Sequence, residues 1–271
     1  MCAALLYVGN ENNKNMGKER KRIVIVGASS GFGLALAKLY MESGWIVGLA
    51  ARRTEPLERL KSQLPSRVSY ARLDVTEPEA SEVLRGLIEH IGGMDVYLHV
   101  AGILLDEGNG DTSSACRIAE TNATGFARMI LTAFEYFRKS GRRGQIAAIT
   151  SIAGIRGLGD LPVYSASKAF DSTLLEGLRQ KADRLRLPLK ITDIKPGWTR
   201  TPLLDSGRTY FWEMDSEKVT LRIFEAILKE KRSVVIGKRW KVATFIERII
   251  PGRIWSKLHI PLWRDKQINR Q

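Results

Sequence analysis

The chain has 271 residues, 44% of them hydrophobic, and 43 lysines and arginines against 29 acidic residues give it a formal net charge of +14. This length and composition are typical of one globular α/β domain that needs no disulfide bonds to fold. Two cysteines, Cys2 and Cys116, indicate a reducing, cytoplasmic compartment; neither they nor the three scattered histidines have metal-site spacing. We recognise no secretory signal and no apolar run long enough to span a membrane.

Short apolar runs alternate with longer amphipathic stretches. Seven runs are predicted to be buried strands, at 22–27, 45–52, 67–75, 94–102, 144–154, 189–197 and 232–237. Helical periodicity separates them at 32–44, 55–64, 77–92, 113–139, 162–186 and 215–230. This strict alternation predicts a doubly wound parallel sheet with helices on both faces, in one domain.

The two ends of the chain differ from this central part. Residues 1–20 are mostly polar, and we expect them to be disordered, so that the domain itself covers 21–237. Residues 238–271 form a basic extension with nine lysines and arginines against two acids, a net charge of 9 − 2 = +7. Such a surface attracts phosphates, anionic lipid or nucleic acid.

The stretch "VGASSGFG" at 26–33 joins the first strand to the first helix. Its glycines allow a tight turn and a close approach of the backbone to a pyrophosphate at the helix N-terminus, and its serine hydroxyls could bind the same anion. The loop residues predicted to bind a dinucleotide are Gly27, Ser29, Ser30, Gly31, Phe32 and Gly33.

Two arginines, Arg52 and Arg53, follow the second strand, and no acid precedes Glu55. An acid at this place would hold the ribose 2′-hydroxyl of NAD, whereas an arginine accommodates the 2′-phosphate of NADP. The sequence therefore favours NADP(H) over NAD(H). The alternative is that both arginines are solvated loop charges.

Tyr164 and Lys168 are four residues apart in "YSASK". On a helix this spacing places both side chains on one face, and an ammonium near a phenol favours the phenolate. Such a tyrosine can serve as a general acid or base. The alternative is an ordinary surface pair on an amphipathic helix.

With these features, the chain resembles the short-chain dehydrogenase/reductase family over about residues 21–237. Further matching motifs are "LDV" with Asp74, "TNATG" with Asn122, "ITSIAG" with Ser151 thirteen residues before Tyr164, and "PGWTRT" at 196–201. The resemblance implies a Rossmann-type sheet of about seven strands and an NADP(H)-dependent oxidoreductase that transfers hydride between the nicotinamide and a carbonyl or alcohol.

The resemblance also implies a role for each site residue. Tyr164 is the general acid that protonates a carbonyl oxygen, Lys168 lowers its pKa and binds the nicotinamide ribose, and Ser151 polarises the same oxygen. Asn122 holds a water that connects Lys168 to solvent. The implied catalytic residues are Asn122, Ser151, Tyr164 and Lys168. Further implied cofactor contacts are Asp74, Val75, Ala101, Gly102, Asn122, Tyr164, Lys168, Pro196, Gly197, Thr199 and Thr201.

The chain departs from the family pattern at the first and fourth strands. Val26 stands where threonine is usual, and His99 and Val100 replace two asparagines that brace the central strand. We predict that His99 is a buried, hydrogen-bonded structural residue and not a catalytic one. Ser151 could also merely end a strand, and Asn122 could satisfy the backbone at a helix kink.

Substrate choice is expected to lie in 106–113, 155–163 and 202–215. The aromatic residues Tyr210, Phe211 and Trp212 suggest either an apolar substrate with a lid packed over it, or a hydrophobic seam to a neighbouring helix. The expected substrate is a small or lipophilic carbonyl or alcohol.

In the extension, apolar residues recur at helical spacing before Pro251 and Gly252 break the helix, and tryptophans with basic residues follow. This pattern fits peripheral membrane contact through 238–266, or a helix packed on the body or on a second subunit with a basic outer face. The apolar positions are Val242, Phe245, Ile246, Ile249, Ile250, Trp255, Leu258, Ile260, Leu262 and Trp263.

Two other functions compete with the enzyme. One is a non-catalytic nucleotide-binding protein that kept the fold, and the other is a membrane-surface or nucleic-acid binder that acts through the basic extension. A complete set of catalytic residues favours the enzyme, and no nucleic-acid partner is expected. The resemblance further implies a homo-oligomer, a dimer or tetramer formed through the helices that carry Asn122 and Tyr164.

Overall fold

The structure is a computed structural model and describes residues 20–107, 112–204 and 207–265. The disorder predicted for 1–20 therefore concerns residues that lie, except for Arg20, outside the described part. The middle of the predicted specificity segment 106–113 and the end of the extension lie outside it as well.

Seven parallel strands form the central sheet, in the order β3-β2-β1-β4-β5-β6-β8. This confirms the predicted doubly wound sheet. The strand order reverses between β1 and β4, and ligands of such sheets bind at the carboxyl ends of the strands beside this switch point. The strands are β1 Arg22–Val26, β2 Ile46–Ala51, β3 Val68–Arg72, β4 Val96–His99, β5 Gly144–Ile149, β6 Leu189–Pro196 and β8 Ser233–Ile236.

Helices cover both faces of the sheet and enclose two apolar cores. One core packs the sheet against α3, α5 and α6, and the other packs it against α1, α2 and α7. The apolar side chains of the strands point alternately into these two cores, which is why the strands are apolar along their whole length. The helices are α1 Gly31–Glu42, α2 Glu55–Gln63, α3 Ala80–His90, α4 Thr112–Ala119, α5 Phe126–Ser140, α6 Pro162–Arg184, α7 Ser216–Leu228, α8 Lys238–Ile249 and α9 Gly252–Trp255.

The helix predicted over 113–139 is interrupted. A π-helical turn, Glu120–Gly125, separates α4 from α5. Within this turn the Asn122 side chain binds the backbone of Ile103, with its Oδ1 accepting from the Ile103 N–H at 2.8 Å and its Nδ2 donating to the Ile103 carbonyl at 2.8 Å. π-turns of this kind are frequent at functional sites. Asn122 therefore does satisfy backbone groups, as one alternative held, but they belong to Ile103 and not to the helix itself.

A small antiparallel sheet was not predicted from the sequence. It pairs β7, Arg208–Tyr210, with β9, Trp263–Asp265, and so brings the end of the chain back to the segment that follows β6. The segment between them contains α8 and α9, separated at Pro251 where the sequence predicts a break. The C-terminal segment therefore lies against the carboxyl edge of the main sheet.

Candidate active site

A cavity of about 670 Å³ opens at the carboxyl edge of the sheet. It collects nearly all the residues predicted from the sequence to bind a dinucleotide or to act in catalysis, and only Gly33 and Asn122 lie outside its wall. The predicted residues that line it are Gly27, Ser29, Ser30, Gly31, Phe32, Arg52, Arg53, Asp74, Val75, Ala101, Gly102, Ser151, Tyr164, Lys168, Pro196, Gly197, Thr199 and Thr201.

The glycine loop forms one end of the cavity. Gly27 has φ of +93°, and a Cβ there would lie 2.4 Å from the backbone nitrogen of Ala101. Gly33 lies behind the loop, where a Cβ would come within 2.1 Å of the Gly27 carbonyl oxygen. The side chain of Ser30 caps no N–H of α1. The free N–H groups at this helix start can therefore bind an anion, as a pyrophosphate site requires.

Positive charge borders the cavity beyond this loop. Arg52 Nη1 lies 3.9 Å from Asp74 Oδ2, and the Arg52 side chain is 58% exposed. The other oxygen of Asp74 accepts from the Thr76 N–H at 3.0 Å and from the Thr76 hydroxyl at 2.8 Å. Because an exposed pair at this distance is weak, Arg52 remains able to bind a phosphate, and Arg53 beside it is exposed as well.

Ser151 and Tyr164 meet at the opposite part of the cavity. Ser151 follows β5, and its Oγ accepts from the Ala153 N–H at 3.1 Å, which fixes the following 3₁₀ turn. Tyr164 lies in the first turn of α6, close enough to Ser151 for the serine hydroxyl to lower the pKa of the phenol. Both residues line the cavity.

Lys168 lies one turn after Tyr164, with its Nζ 5.9 Å from the centre of the Tyr164 ring. Its ammonium donates to Asp171 Oδ2 at 2.9 Å, and both side chains are buried. The second oxygen of Asp171 has no hydrogen-bond partner among the described residues. Lys168 is thus held by a buried carboxylate that the sequence analysis did not identify.

Burial dominates the electrostatics of this group. It raises the pKa of Tyr164 more than the Lys168 charge and the Ser151 hydrogen bond lower it, and Asp171 raises it further. The net direction is therefore upward, opposite to the predicted lowering. Burial also raises the pKa of Asp171 to about 6, despite Lys168. Burial lowers the pKa of Lys168, but Asp171 and Tyr164 together raise it by more. The pKa of the ammonium therefore lies above its usual value.

Asn122 braces this constellation from outside the cavity. Besides its two bonds to Ile103, its Nδ2 donates to Ser167 Oγ at 3.3 Å. The side-chain amide is thus committed to protein partners. Because both amide hydrogens are used, a water held by this residue, as the family resemblance implies, would have to donate to its backbone carbonyl or to the second lone pair of Oδ1.

His99 is buried and hydrogen-bonded, as predicted. Its Nδ1 lies 2.9 Å from the Tyr97 hydroxyl, and the ring packs edge-on against Phe126 at 4.9 Å. Burial lowers the pKa of His99 to about 3, so the imidazole is neutral at physiological pH. The residue does not line the cavity.

Tyr164 belongs to an apolar cluster that includes Trp198, Tyr210 and Leu262. Tyr210 is buried in this cluster, whereas Phe211 and Trp212 are exposed and stack on each other at 4.6 Å. Of the two alternatives for these aromatic residues, the seam describes Tyr210. It also describes Trp212, whose ring packs edge-on against Trp240 of α8 with the centroids 5.3 Å apart.

Two carboxylates at the site were missed by sequence reasoning. Asp171 could have been found from its i, i+3 spacing to Lys168, but the burial that makes it important is not visible in the sequence. Glu107 accepts from the Val163 N–H at 2.6 Å and the Tyr164 N–H at 2.8 Å. It caps the start of α6, and its distance of 57 residues from Tyr164 leaves no local signal.

Within the part of the chain that the structure describes, no cluster of histidine, cysteine and acidic side chains could hold a metal ion. In the same part, no helix combines the length and the apolar character that crossing a bilayer requires.

A protein-family model described as short chain dehydrogenase matches residues 21–209. An uncharacterized oxidoreductase of Mycobacterium tuberculosis is 30% identical over 248 residues, which cover 88% of this chain and 97% of that protein. The farnesol dehydrogenase of Aedes aegypti is 31% identical over 195 residues, 68% of this chain and 79% of that protein.

Solved structures share the fold. A short-chain dehydrogenase from Streptomyces avermitilis has a TM-score of 0.70 at 25% identity and covers 88% of this chain and 94% of its own. One from Burkholderia cenocepacia in complex with NADP has a TM-score of 0.75 at 20% identity and covers 90% of this chain and 99% of its own. Nicotinamide cofactors and small-molecule substrates are general to this family. The chain therefore belongs to the short-chain dehydrogenase family and is an oxidoreductase of that type.

Proposed function

We propose that this oxidoreductase uses NADP(H) and interconverts a carbonyl compound and its alcohol, with Tyr164 as the general acid and base. The observation that carries the proposal is one continuous cavity, which joins the glycine loop and Arg52 at one end to Ser151, Tyr164 and Lys168 at the other. The bound nicotinamide supplies or accepts the hydride.

Each catalytic side chain acts at a stated atom. In the reducing direction the Tyr164 hydroxyl donates its proton to the substrate oxygen, and the Ser151 hydroxyl donates a hydrogen bond to the same oxygen. Because burial and Asp171 keep the pKa of Tyr164 high, the phenol is protonated before the reaction. The positive charge of Lys168 stabilises the phenolate that remains, and a water held by Asn122 connects Lys168 to solvent.

The residues present fit NADP(H) better than NAD(H). Two exposed guanidiniums follow β2, where an NAD site usually carries an acid. The donors that would hold the pyrophosphate are the N–H groups at the start of α1 and the hydroxyls of Ser29 and Ser30. The Burkholderia chain of the same fold is in complex with NADP, so this fold accommodates the nucleotide.

The apolar cluster beside Tyr164 favours an apolar substrate. In support, one relative of this chain is a farnesol dehydrogenase. We propose a lipophilic carbonyl or alcohol as the substrate class, with peripheral membrane contact through residues 238–266. A cytoplasmic location remains a prediction from the cysteine usage.

We also propose a homo-oligomer formed through the helices that carry Asn122 and Tyr164. In support, Leu131 on α5 and Phe170 on α6 are large apolar side chains left exposed on these helices. Residues 21–237 are proposed as the Rossmann domain, with 238–271 as a C-terminal extension and 1–20 as a disordered one.

The test of the cofactor is a thermal-shift titration of the purified protein with NADPH and with NADH. We expect the larger stabilisation from NADPH, because the phosphate of NADPH adds a contact to the arginines. An Arg52→Ala/Arg53→Ala variant should lose this difference. The matched control, Arg59→Ala/Arg85→Ala, removes the same charge from exposed arginines away from the cavity and should keep it. Equal stabilisation by both nucleotides would contradict the NADP preference, and none by either would contradict the enzyme.

A further inference from the structure

The helix α8 has two opposite faces. Trp240 and Thr244 are buried against the body, and Glu247 is half-buried. At about 100° per residue, the apolar side chains on the other face centre roughly opposite this buried set. They are between 48% and 65% exposed. The outward apolar residues of α8 are Val242, Phe245, Ile246 and Ile249. The stripe that the sequence predicts is therefore real, but it points away from the body.

Further apolar side chains are exposed beyond Pro251. Ile254, Leu258 and Ile260 are between 39% and 53% exposed. Together with the outward residues of α8 they make seven exposed aliphatic and aromatic side chains between Val242 and Ile260, which we call the tail face. Single exposed apolar residues are normal on a protein surface, but such a concentration indicates an interaction site.

Basic residues border the tail face. On the helical wheel of α8, Lys241 and Arg248 lie on one flank of the apolar stripe and Arg239 lies on the other. All of them are exposed, and none forms an ion pair with a described residue. The one acid of α8, Glu247, has its pKa raised to about 7 by burial, so it is only partly ionised at neutral pH and offsets their charge in part. An apolar stripe with basic flanks is typical of a helix that lies in the interface of a membrane.

Either a second copy of this chain or a membrane could cover such a surface, and the charge of the tail face decides between them. A second copy of this chain would bring an equally basic rim against the first, since a twofold contact pairs a patch with itself. An anionic bilayer instead complements the charge and accepts the apolar side chains. We infer that the tail face binds the surface of an anionic bilayer, with the apolar stripe of α8 in the headgroup region.

The tail face is joined to the wall of the active site. Arg156 Nη1 donates to the carbonyls of Glu247 and Ile250 at the end of α8, at 3.1 and 2.9 Å, and its guanidinium stacks on Trp255 at 5.0 Å. Trp255 Nε1 in turn donates to the Gly157 carbonyl at 2.8 Å. Arg156 and Gly157 belong to the loop between Ser151 and Tyr164.

This connection sets the substrate loop beside the bilayer when the tail face is docked. The consequence rests on the proposed function: the carbonyl or alcohol substrate is one that dissolves in the membrane and reaches Tyr164 from there. Docking itself does not depend on the redox chemistry, so the two can be tested separately.

The test is co-sedimentation of the full chain with vesicles of phosphatidylcholine alone or mixed with phosphatidylglycerol. We expect binding to the mixed vesicles, weakened by added salt, and at least about tenfold weaker for Phe245→Ser/Ile249→Ser because two apolar anchors are lost. Lys241→Gln/Arg248→Gln should weaken binding to the anionic vesicles. Leu185→Ser is the control, since Leu185 is an exposed apolar residue at the end of α6, on the opposite edge of the sheet, and this variant should bind as the wild type does.

Wild-type protein that binds neither vesicle, or a Phe245→Ser/Ile249→Ser variant that binds as well as the wild type, would overturn the proposal. Sedimentation velocity gives the other overturning result, a wild-type oligomer that the same double variant dissociates without any vesicle binding. That result would assign the tail face to a second copy. NADPH stabilisation of the double variant should equal that of the wild type, so a failure of the cofactor test and a failure of docking are distinguishable.

Discussion

The helix α6 lines the active site, α8 packs on the lining residue Gly197, and each inverts the usual distribution of residues. In α6 the polar side chains Tyr164, Lys168 and Asp171 are buried, whereas in α8 large apolar side chains such as Phe245 and Ile249 are exposed. Both arrangements cost free energy in an isolated chain, since buried charges lose hydration and exposed apolar groups order water. In this protein, departures from the usual pattern coincide with the chemistry that we propose for one helix and with the docking surface that we infer for the other.

The largest effect on stability is expected where α8 meets the body. Trp240 is buried, and its ring packs so closely on Gly197 that a Cβ there would lie 2.2 Å from it. Trp240→Ala should reduce the free energy of unfolding by about 3–5 kcal/mol, because it leaves a large cavity. Thermal denaturation should show a fall in Tm of about 10 °C.

The matched control is Phe245→Ala on the outward face of the same helix, which should change stability by less than about 0.5 kcal/mol. A Phe245→Ala variant as unstable as Trp240→Ala would break the contrast between the two faces.

A smaller effect, with a pH signature, is expected at Asp171. Its folded pKa of about 6 lies above the ordinary 3.8, so the carboxyl group favours folding when protonated, and this contribution is lost as pH rises from about 4 through 6. Asp171→Asn removes the buried charge, and at pH 8 it should raise the free energy of unfolding by about 2 kcal/mol. Denaturant unfolding at several pH values should show the gain vanish in acid.

The same substitution should lower the pKa of Tyr164, because the Asp171 charge raises it. Ultraviolet titration of the tyrosinate band, with Tyr164→Phe subtracted, measures this shift. Asp183→Asn, at an exposed position of the same helix, should change neither property. A loss of stability at pH 8 in Asp171→Asn would mean that the pair with Lys168 is net stabilising.

The smallest effect concerns the cap of α6. Glu107→Gln keeps one acceptor oxygen but loses the charge that faces the Val163 and Tyr164 N–H groups, so a loss of about 1 kcal/mol is expected. Calorimetry should show Tm lowered by about 2–4 °C. The control is Glu176→Gln, at an exposed position in the middle of the same helix, and it should leave Tm unchanged. An equal fall in Tm in both variants would show that Glu107 does not stabilise α6 as a cap.

Much of the fold was predictable because it depends on local patterns. The strands of a parallel sheet are apolar along their length, and the glycine loop and the Tyr164–Lys168 spacing are visible within a few residues. The π-turn at Asn122 was harder to place, because its side chain binds Ile103 from a distant loop. The pairing of β7 with β9 joins two three-residue strands more than fifty residues apart, and such contacts have no periodic signal.

In the active site, too, local features were predictable from the sequence and long-range features were not. Its residue types followed from the motifs, whereas the direction of the Tyr164 pKa followed only from burial. Likewise, helical spacing predicted the apolar stripe of α8 but could not say which way it points. Direction and burial are properties of the packed chain, which is why sequence alone left both alternatives for the extension open.

The most direct test of the central claim is the oxidation of NADPH by the purified protein with a panel of aliphatic and isoprenoid aldehydes and ketones, followed by its absorbance. We expect turnover with at least one apolar carbonyl, and a loss of at least about 100-fold in Tyr164→Phe, with NADPH binding retained. Tyr70→Phe, at an exposed tyrosine, should keep the wild-type rate. A Tyr164→Phe enzyme as fast as the wild type would contradict the assignment of Tyr164 as the general acid.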